Sequence, residues 1–325
     1  MRRGVTIGLL AIGATLVGAF GVYGFSFFSV AREVDELRAI PEAFPVEESR
    51  PVPIEPEEGL ASPVNVLILG VDAGGTPLRA LEDIRGRRSD AMILVNVSGD
   101  RQHITMVSLM RDLWVDIPGR GDDKINAALS LGGVPLAVET VESLLDVRID
   151  HVVLSDFDGL ISVTDRLGGV EVDNPIAFDS SHIPGKYFET GPQRMSGEEL
   201  LAFSRERYAF SDGDYTRVAN QRLALAALLA SLVDSVNPLA PWTIPETVRT
   251  FGQFVLTDQT LTADVVTRLG SDVFGFSPDD IGSLTLPTLG TGTSPDGQSI
   301  VLPDGPAIYD LSEAIRADGL SHLTD

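Results

Sequence analysis

The segment Val64-Asn65-Val66-Leu67-Ile68-Leu69-Gly70 constrains the fold more than any other stretch. It is a continuous apolar strand, of the kind buried on both faces of a sheet that is covered on both sides. Ala91 to Val97 and His103 to Leu109 also read as strands, joined by a hairpin turn at Ser98-Gly99-Asp100-Arg101. Leu136 to Leu145 has helical spacing, and His151 to Leu154 returns to strand. Phe157 to Leu167 reads as helix, closed by Gly168-Gly169 ahead of a short strand, Val170 to Val172. Ser196-Gly197-Glu198-Glu199 is a capping box that opens a helix through Leu200, Leu201 and Phe203. A long helix is expected from about Asp214 to Val233. Past Pro238, Pro and Gly punctuate the chain, with helices expected at Ala263 to Leu269 and Ile308 to Ala317. Strands alternating with helices predict an α/β fold, a layered α-β-α domain around a central mixed β-sheet.

Ahead of that domain, Val5 to Val30 is an almost uninterrupted apolar run behind Met1-Arg2-Arg3. As a helix it would span about 39 Å, enough to cross a hydrocarbon core with some tilt. Arg2 and Arg3 before it and Glu33, Asp35 and Glu36 after it set a cytoplasmic N-terminus and an extracytoplasmic body. Ser29-Val30-Ala31 keeps a cleaved signal peptide open as the alternative to a transmembrane anchor. Residues 31–63 are rich in Pro and Glu (Pro41, Pro45, Pro51, Pro53, Pro56, Pro63) and predict an extended stalk. The expected organisation is anchor 1–30, stalk 31–63, domain core 64–235, and a C-terminal part, 236–325, packed on the same domain. A formal charge of −23 argues against a nucleic-acid partner, whose binding needs basic patches. There is no cysteine, hence no disulfide framework and no thiolate chemistry.

Arginines and carboxylates recur at the expected strand ends. Asp72 follows the first strand, Arg88-Ser89-Asp90 precedes the second, and Arg111-Asp112 follows the third. Ligands of open α/β sheets gather at such ends. Two carboxylates there suit a shared magnesium ion, which keeps some waters and takes its other oxygens from phosphate, while guanidinium forks grip phosphate oxygens. The bland readings are a turn cap for Asp90, a solvated Asp72 and a surface ion pair for Arg111-Asp112. Asp214, Arg217 and Gln221, at i, i+3 and i+7, fall within about 60° on one helix face. That is a ligand-facing stripe or an exposed salt bridge. Arg205 and Arg207 reach one phosphate together only where the helix ends near Arg205. The four histidines, His103, His151, His182 and His322, accompany no nucleophile-elbow motif, which disfavours a serine hydrolase.

Leu67-Ile68-Leu69-Gly70-Val71-Asp72, Arg88-Ser89-Asp90-Ala91-Met92, Ser108-Leu109-Met110-Arg111-Asp112, Lys124-Ile125-Asn126-Ala127-Ala128 and Gly132-Gly133 together resemble the LytR-CpsA-Psr family. Asp156-Phe157, Leu167-Gly168-Gly169-Val170, Arg205-Glu206-Arg207-Tyr208 and Asp214…Arg217…Gln221 extend the likeness in order to about residue 232. The resemblance implies an extracytoplasmic phosphotransferase. It would move a glycopolymer from a polyprenyl-pyrophosphate carrier onto a peptidoglycan hydroxyl as a phosphodiester, at the membrane.

By that likeness Arg88, Arg111, Lys124, Arg205, Arg207, Arg217 and Gln221 hold the pyrophosphate, and Asp72 and Asp90 support Mg2+. Arg111, Asp112, Asp214 and Arg217 form the catalytic set, with Asp214 and Gln221 orienting guanidinium groups. The base is left among Asp72, Asp90, Asp112 and Asp214. An apolar tunnel for the lipid tail is expected between helices around Val138 to Leu145 and Leu223 to Leu232. Met110 replaces the family's usual proline, and Asn220 stands where arginine is common, with Arg222 as a possible substitute contact. Two other classes share these features: a polyprenyl-pyrophosphate hydrolase, and a non-catalytic polyprenyl-phosphate-binding regulator.

Overall fold

A computed structural model of the chain describes residues 38–56, 59–72, 86–211, 213–235, 255–262, 265, 268–269 and 280–323. The apolar run 5–30 and most of the helix expected at 263–269 lie outside the described residues. In chain order come β1 (Arg38–Ile40), β2 (Val64–Val71), β3 (Ser89–Val97), β4 (Ile104–Leu109), β5 (Trp114–Ile117) and β6 (Gly121–Lys124). Helix α1 (Ala127–Leu145), β7 (His151–Asp156), α2 (Phe157–Arg166), β8 (Val170–Asn174), β9 (Phe178–Asp179), β10 (Tyr187–Phe188) and β11 (Gly191–Met195) follow. Then come α3 (Gly197–Arg205), α4 (Asp214–Ser235), β12 (Val255–Asp258), β13 (Ile281–Thr285), the pair β14 (Thr288–Thr293) and β15 (Ser299–Pro303), and α5 (Gly305–Arg316).

A 7-stranded sheet, ordered β1-β12-β7-β2-β3-β4-β13, forms the centre. It is mixed: β2 runs antiparallel to β3 and parallel to β7, and β4 runs antiparallel to β3 and parallel to β13. One face packs Leu67, Leu69, Leu94, Val107, Val152 and Leu154 against Ala137, Val138 and Val141 of α1 and Ile308, Leu311 and Ile315 of α5. The other face carries Ile93, Val95 and Met106, covered by Leu225 and Leu229 of α4. Helices on both faces give the layered α-β-α arrangement.

Three expectations need correcting. Strand β2 is not equally buried on its two faces: Asn65, Leu67, Leu69 and Val71 are buried, while Val64, Val66, Ile68 and Gly70 are half-buried. The half-buried face includes Ile68 and Gly70, which floor a pocket. Helix α1 begins at Ala127 rather than near Leu136, and bends at Gly133 (φ 72, ψ −163) two residues before Pro135. A proline fits the first turn of a helix, so the part after Gly133 alone showed clean periodicity.

Within the expected stalk, residues 38–50 pack on the domain, while most of the described part of 51–62 is exposed. Strand β1 pairs in parallel with β12, and Ile40 and Ala43 are 1% and 3% exposed within the main core. Arg50 donates to Glu142 of α1 at 2.6 Å, and both side chains are buried. Each proline breaks regular structure yet leaves single apolar residues free to dock, which a composition average conceals. Downstream, β12 and β13 add strands to the same sheet, so the described residues after 254 share the domain's core.

Candidate functional site

Strands β2 and β3 end together, Gly70 opposite Ala91, with an irregularity between Gly70 and Val71. This places Asp72 and Asp90 at one end of the sheet, with Arg111 just past the neighbouring end of β4. Arg111 Nη1 donates to Asp90 Oδ1 at 2.7 Å. Arg111 Nε lies 3.5 Å from Asp112 Oδ2, and Lys124 Nζ reaches Asp112 Oδ1 at 3.0 Å. Lys124 therefore backs Asp112 and does not line the cleft described below. Arg88 is exposed and does not line it either, whereas its neighbour Arg87 donates to the Asp72 carbonyl at 2.6 Å.

Helix α2 starts where β7 stops. Asp156 caps it by accepting from the Gly159 amide at 2.7 Å, so Phe157 sits at the sheet's end. Helix α3 packs close against α2, and a Cβ at Gly197 would collide with the Ile161 backbone. This close approach carries Arg205, the last residue of α3, over the Phe157 ring at 4.8 Å from its centroid. Arg205 Nη2 also lies 3.7 Å from Asp72 Oδ2. Glu206 then turns extended (φ −62, ψ 131), and the break lets Arg205 and Arg207 line one cleft.

On α4 the i, i+3, i+7 stripe faces the same place. Arg217 Nη1 lies 3.2 Å from Asp214 Oδ1, and Arg207 Nε lies 3.8 Å from the same oxygen. Gln221 Nε2 donates to the Asp90 carbonyl at 3.5 Å, joining α4 to β3. The next residue round the helix, Arg222, points elsewhere and donates to Thr285 of β13, while Asn220 donates to the Phe203 carbonyl at 3.1 Å. Arg222 therefore does not replace a phosphate contact at position 220.

Asp90, Arg111, Phe157, His182, Arg205, Arg207, Tyr208, Arg217 and Gln221 enclose a cleft of about 160 Å3. Four guanidinium groups and one carboxylate line it. Burial and the nearby Arg111 hold the Arg217 guanidinium below its ordinary value, against the pull of Asp214 and Asp112. Burial would lower Arg111 too, but Asp90, Asp112 and Asp214 outweigh it and hold its charge more firmly. Arg111 Nε and Arg217 Nε are buried without a hydrogen bond in the protein. Buried donors seek acceptors, so the cleft favours a polyanion with several oxygens.

A second, apolar pocket of about 340 Å3 adjoins the cleft and shares Phe157, Arg205 and Gln221 with it. Its floor is made of facing residues on three strands: Val153 and Ser155 of β7, Ile68 and Gly70 of β2, and Ala91 and Ile93 of β3. Leu160 and Val163 of α2 and Leu225, Leu228, Leu229 and Leu232 of α4 form its walls. The expected second wall around Val138 to Leu145 is instead core on the opposite face of the sheet. Strands buried on both faces offered the sequence no means of telling which helix covers which face.

Asp72 and Asp90 are both partly exposed, with side chains 44% and 28% accessible, and each carboxylate engages an arginine. Among the described residues no three His, Cys, Asp or Glu side chains converge as a metal cage. Two oxygen donors beside an anion cleft nonetheless fit magnesium, which binds through one or two carboxylates plus phosphate oxygens and water.

Sequence reasoning gave no role to Phe157, His182, Glu206 or Tyr208. Glu206 is 0% exposed and accepts from the Ser181 amide at 2.6 Å and from the Arg207 and Tyr208 amides, both at 3.0 Å. Burial alone would raise its carboxyl, but these bonds with Ser181, Ala209 and Tyr208 prevail and hold it below the usual glutamate range. The signal available in the sequence was a carboxylate between two arginines.

Residues 40–317 match the LytR_cpsA_psr family. The chain is 32% identical over 244 residues to the polyisoprenyl-teichoic acid–peptidoglycan teichoic acid transferase TagU of Enterococcus faecalis, covering 74% of this chain and 75% of that protein. The crystal structure of Bacillus subtilis TagV is similar with a TM-score of 0.66 and 29% identity, over 79% of this chain and 97% of that one. TagT bound to LI-WTA is similar with a TM-score of 0.63 and 25% identity, over 85% of this chain and 98% of that one. With a matched span that includes the whole cleft and its apolar neighbour, the chain belongs to the LytR-CpsA-Psr family.

Proposed function

We propose that the protein is a phosphotransferase that moves a glycopolymer from a polyprenyl-pyrophosphate carrier onto a peptidoglycan hydroxyl, forming a phosphodiester. The observation that carries this reading is the continuity of an arginine-lined cleft with an apolar pocket at the same end of the sheet. A charged head and a hydrocarbon tail are the two halves of a polyprenyl-pyrophosphate ester. Relatives named as teichoic acid transferases and a neighbour bound to LI-WTA support the same substrate class.

Phosphoryl transfer asks mostly for positioning and neutralisation of charge. Arg111 and Arg217, whose buried Nε atoms have no hydrogen-bond partner in the protein, would hold phosphate oxygens together with Arg205 and Arg207, which line the same cleft. Asp112 and Asp214 keep these guanidinium groups in place from behind. Magnesium, which Asp72 and Asp90 would hold, supplies further neutralisation of the pyrophosphate when bound. The apolar run Val5 to Val30 supports an anchor that keeps the domain outside the cell beside its lipid carrier.

The test incubates the full-length chain in detergent with a polyprenyl-pyrophosphate glycan and a peptidoglycan oligomer, with magnesium or chelator. Glycan–peptidoglycan product that falls at least about a hundredfold in Arg111→Ala is expected. Release of polyprenyl phosphate without that product marks a hydrolase. Lipid binding with no turnover marks a binding protein.

A further inference from the structure

We infer that His182 is the general base that takes the proton from the acceptor hydroxyl. This rests on the reaction proposed above and assigns the one role that reaction leaves open. The direction of attack follows from the two cavities. The tail pocket shares Phe157, Arg205 and Gln221 with the cleft, so the lipid-side phosphate lies nearest those residues. In-line displacement brings the acceptor to the sugar-side phosphorus from the opposite direction. The cleft residues that do not touch the tail pocket are Asp90, Arg111, His182, Arg207, Tyr208 and Arg217.

Of these, three are arginines, which stay protonated, and Tyr208 carries a phenol. Asp90 is tied to Arg111 at 2.7 Å and is one of the two carboxylates proposed to hold magnesium. Histidine is the side chain suited to exchange a proton near neutrality. The charged groups that line the cleft with His182 are Asp90 on β3, Arg111 after β4, Arg205 ending α3, Arg207 on the following turn and Arg217 on α4, with Glu206 behind its loop.

The loop that carries His182 is pinned on both sides of it. Ser181 gives its amide and hydroxyl to the buried Glu206 at 2.6 and 2.9 Å. Ile183 packs on the apolar cluster that holds Phe178, Phe188 and Phe203. The amides of His182 and Ile183 both donate to Ser180 Oγ at 3.1 Å. The same carboxylate that shapes the Arg205–Arg207 turn thus sets the position of His182, coupling base and phosphate clamp through one buried group.

In the step assigned, the acceptor hydroxyl oxygen bonds to the sugar-side phosphorus as its proton passes to an imidazole nitrogen of His182. The bond from that phosphorus to the bridging oxygen breaks, and its electron pair leaves on polyprenyl phosphate. The imidazolium then returns its proton to solvent. Tyr208, 76% exposed at the rim, offers a ring face on which an acceptor sugar can lie.

The test measures transfer and carrier binding by the full-length chain and by His182→Gln and His182→Ala across pH. We expect kcat to fall about a hundredfold with carrier affinity unchanged. We also expect loss of the wild-type acid limb of the pH–rate profile, and partial rescue of His182→Ala by added imidazole. Activity within about threefold of wild type with the acid limb intact would overturn the assignment, and so would a loss confined to carrier affinity. If the wild type only hydrolyses the carrier, the transfer reading fails, and His182 stands or falls on whether hydrolysis shows the same pH and imidazole behaviour. A wild type inert in both reactions overturns both.

Discussion

Glu206 shows how one residue sets a site that its neighbours occupy. Four arginine-bearing motifs were visible as spacings, yet Arg205 and Arg207 share a cleft only because the chain between them is bent around a buried carboxylate. Its lowered pKa means that the unfolded chain binds the proton more readily than the folded one. The stability this contributes is present at neutral pH and is lost as acidification passes below the ordinary glutamate range, through the lowered folded value. Glu206→Gln should therefore cost about 2–3 kcal/mol near neutrality, a deficit that shrinks in acid, read by urea denaturation at several pH values. The charge and acceptor capacity of Glu206 were legible in the sequence. Its partner Ser181 lies 25 positions away, and no local pattern announces such a bond.

At the scale of elements, the floor of the apolar pocket is a matter of register. Ile68 pairs with Ile93 and Val153, and Gly70 with Ala91 and Ser155, so small side chains cluster at the end next to the cleft. That narrows the pocket least where a lipid would enter. Ala91→Leu, placed where every lipid chain enters, should raise KM about tenfold for long-chain and short-chain polyprenyl donors alike, as steady-state kinetics on both donors would show. The positions of β2, β3, β4 and β7 and of α2, α3 and α4 followed from apolar runs, a capping box and glycine stops. The wall assigned to Val138 to Leu145 failed because a helix with a buried stripe reads the same whether that stripe meets a core or a pocket.

For the whole molecule, the N-terminal segment decides where the domain begins. Residues 38–54 supply an edge strand, core residues Ile40 and Ala43, and Arg50, whose partner Glu142 also accepts from the Ile149 amide at 2.9 Å. Removing Arg50 leaves a buried carboxylate without its cation, so Arg50→Ala should cost about 3–5 kcal/mol. A chain starting at Val64 should lose the cooperative unfolding transition that a chain starting at Arg38 retains, measured by urea denaturation of both.

What the sequence determined by itself is whatever depends on near neighbours: the positions of β2, β3, β4, β7 and β8 and of helices α2 to α5, the carboxylate-arginine pairs at strand ends, the stripe on α4 and the family likeness. Periodicity and capping are local physics, so they survive in one dimension. Tertiary structure alone decided which arginines share the cleft, which sheet face opens into the apolar pocket, and that His182 joins the site from a distant loop. It also brought Ile40 and Ala43, from the segment expected to be a stalk, into the core. These outcomes depend on contacts between segments far apart in the chain, set by sheet register and by how closely the helices approach one another, and neither is written in the order of any single segment.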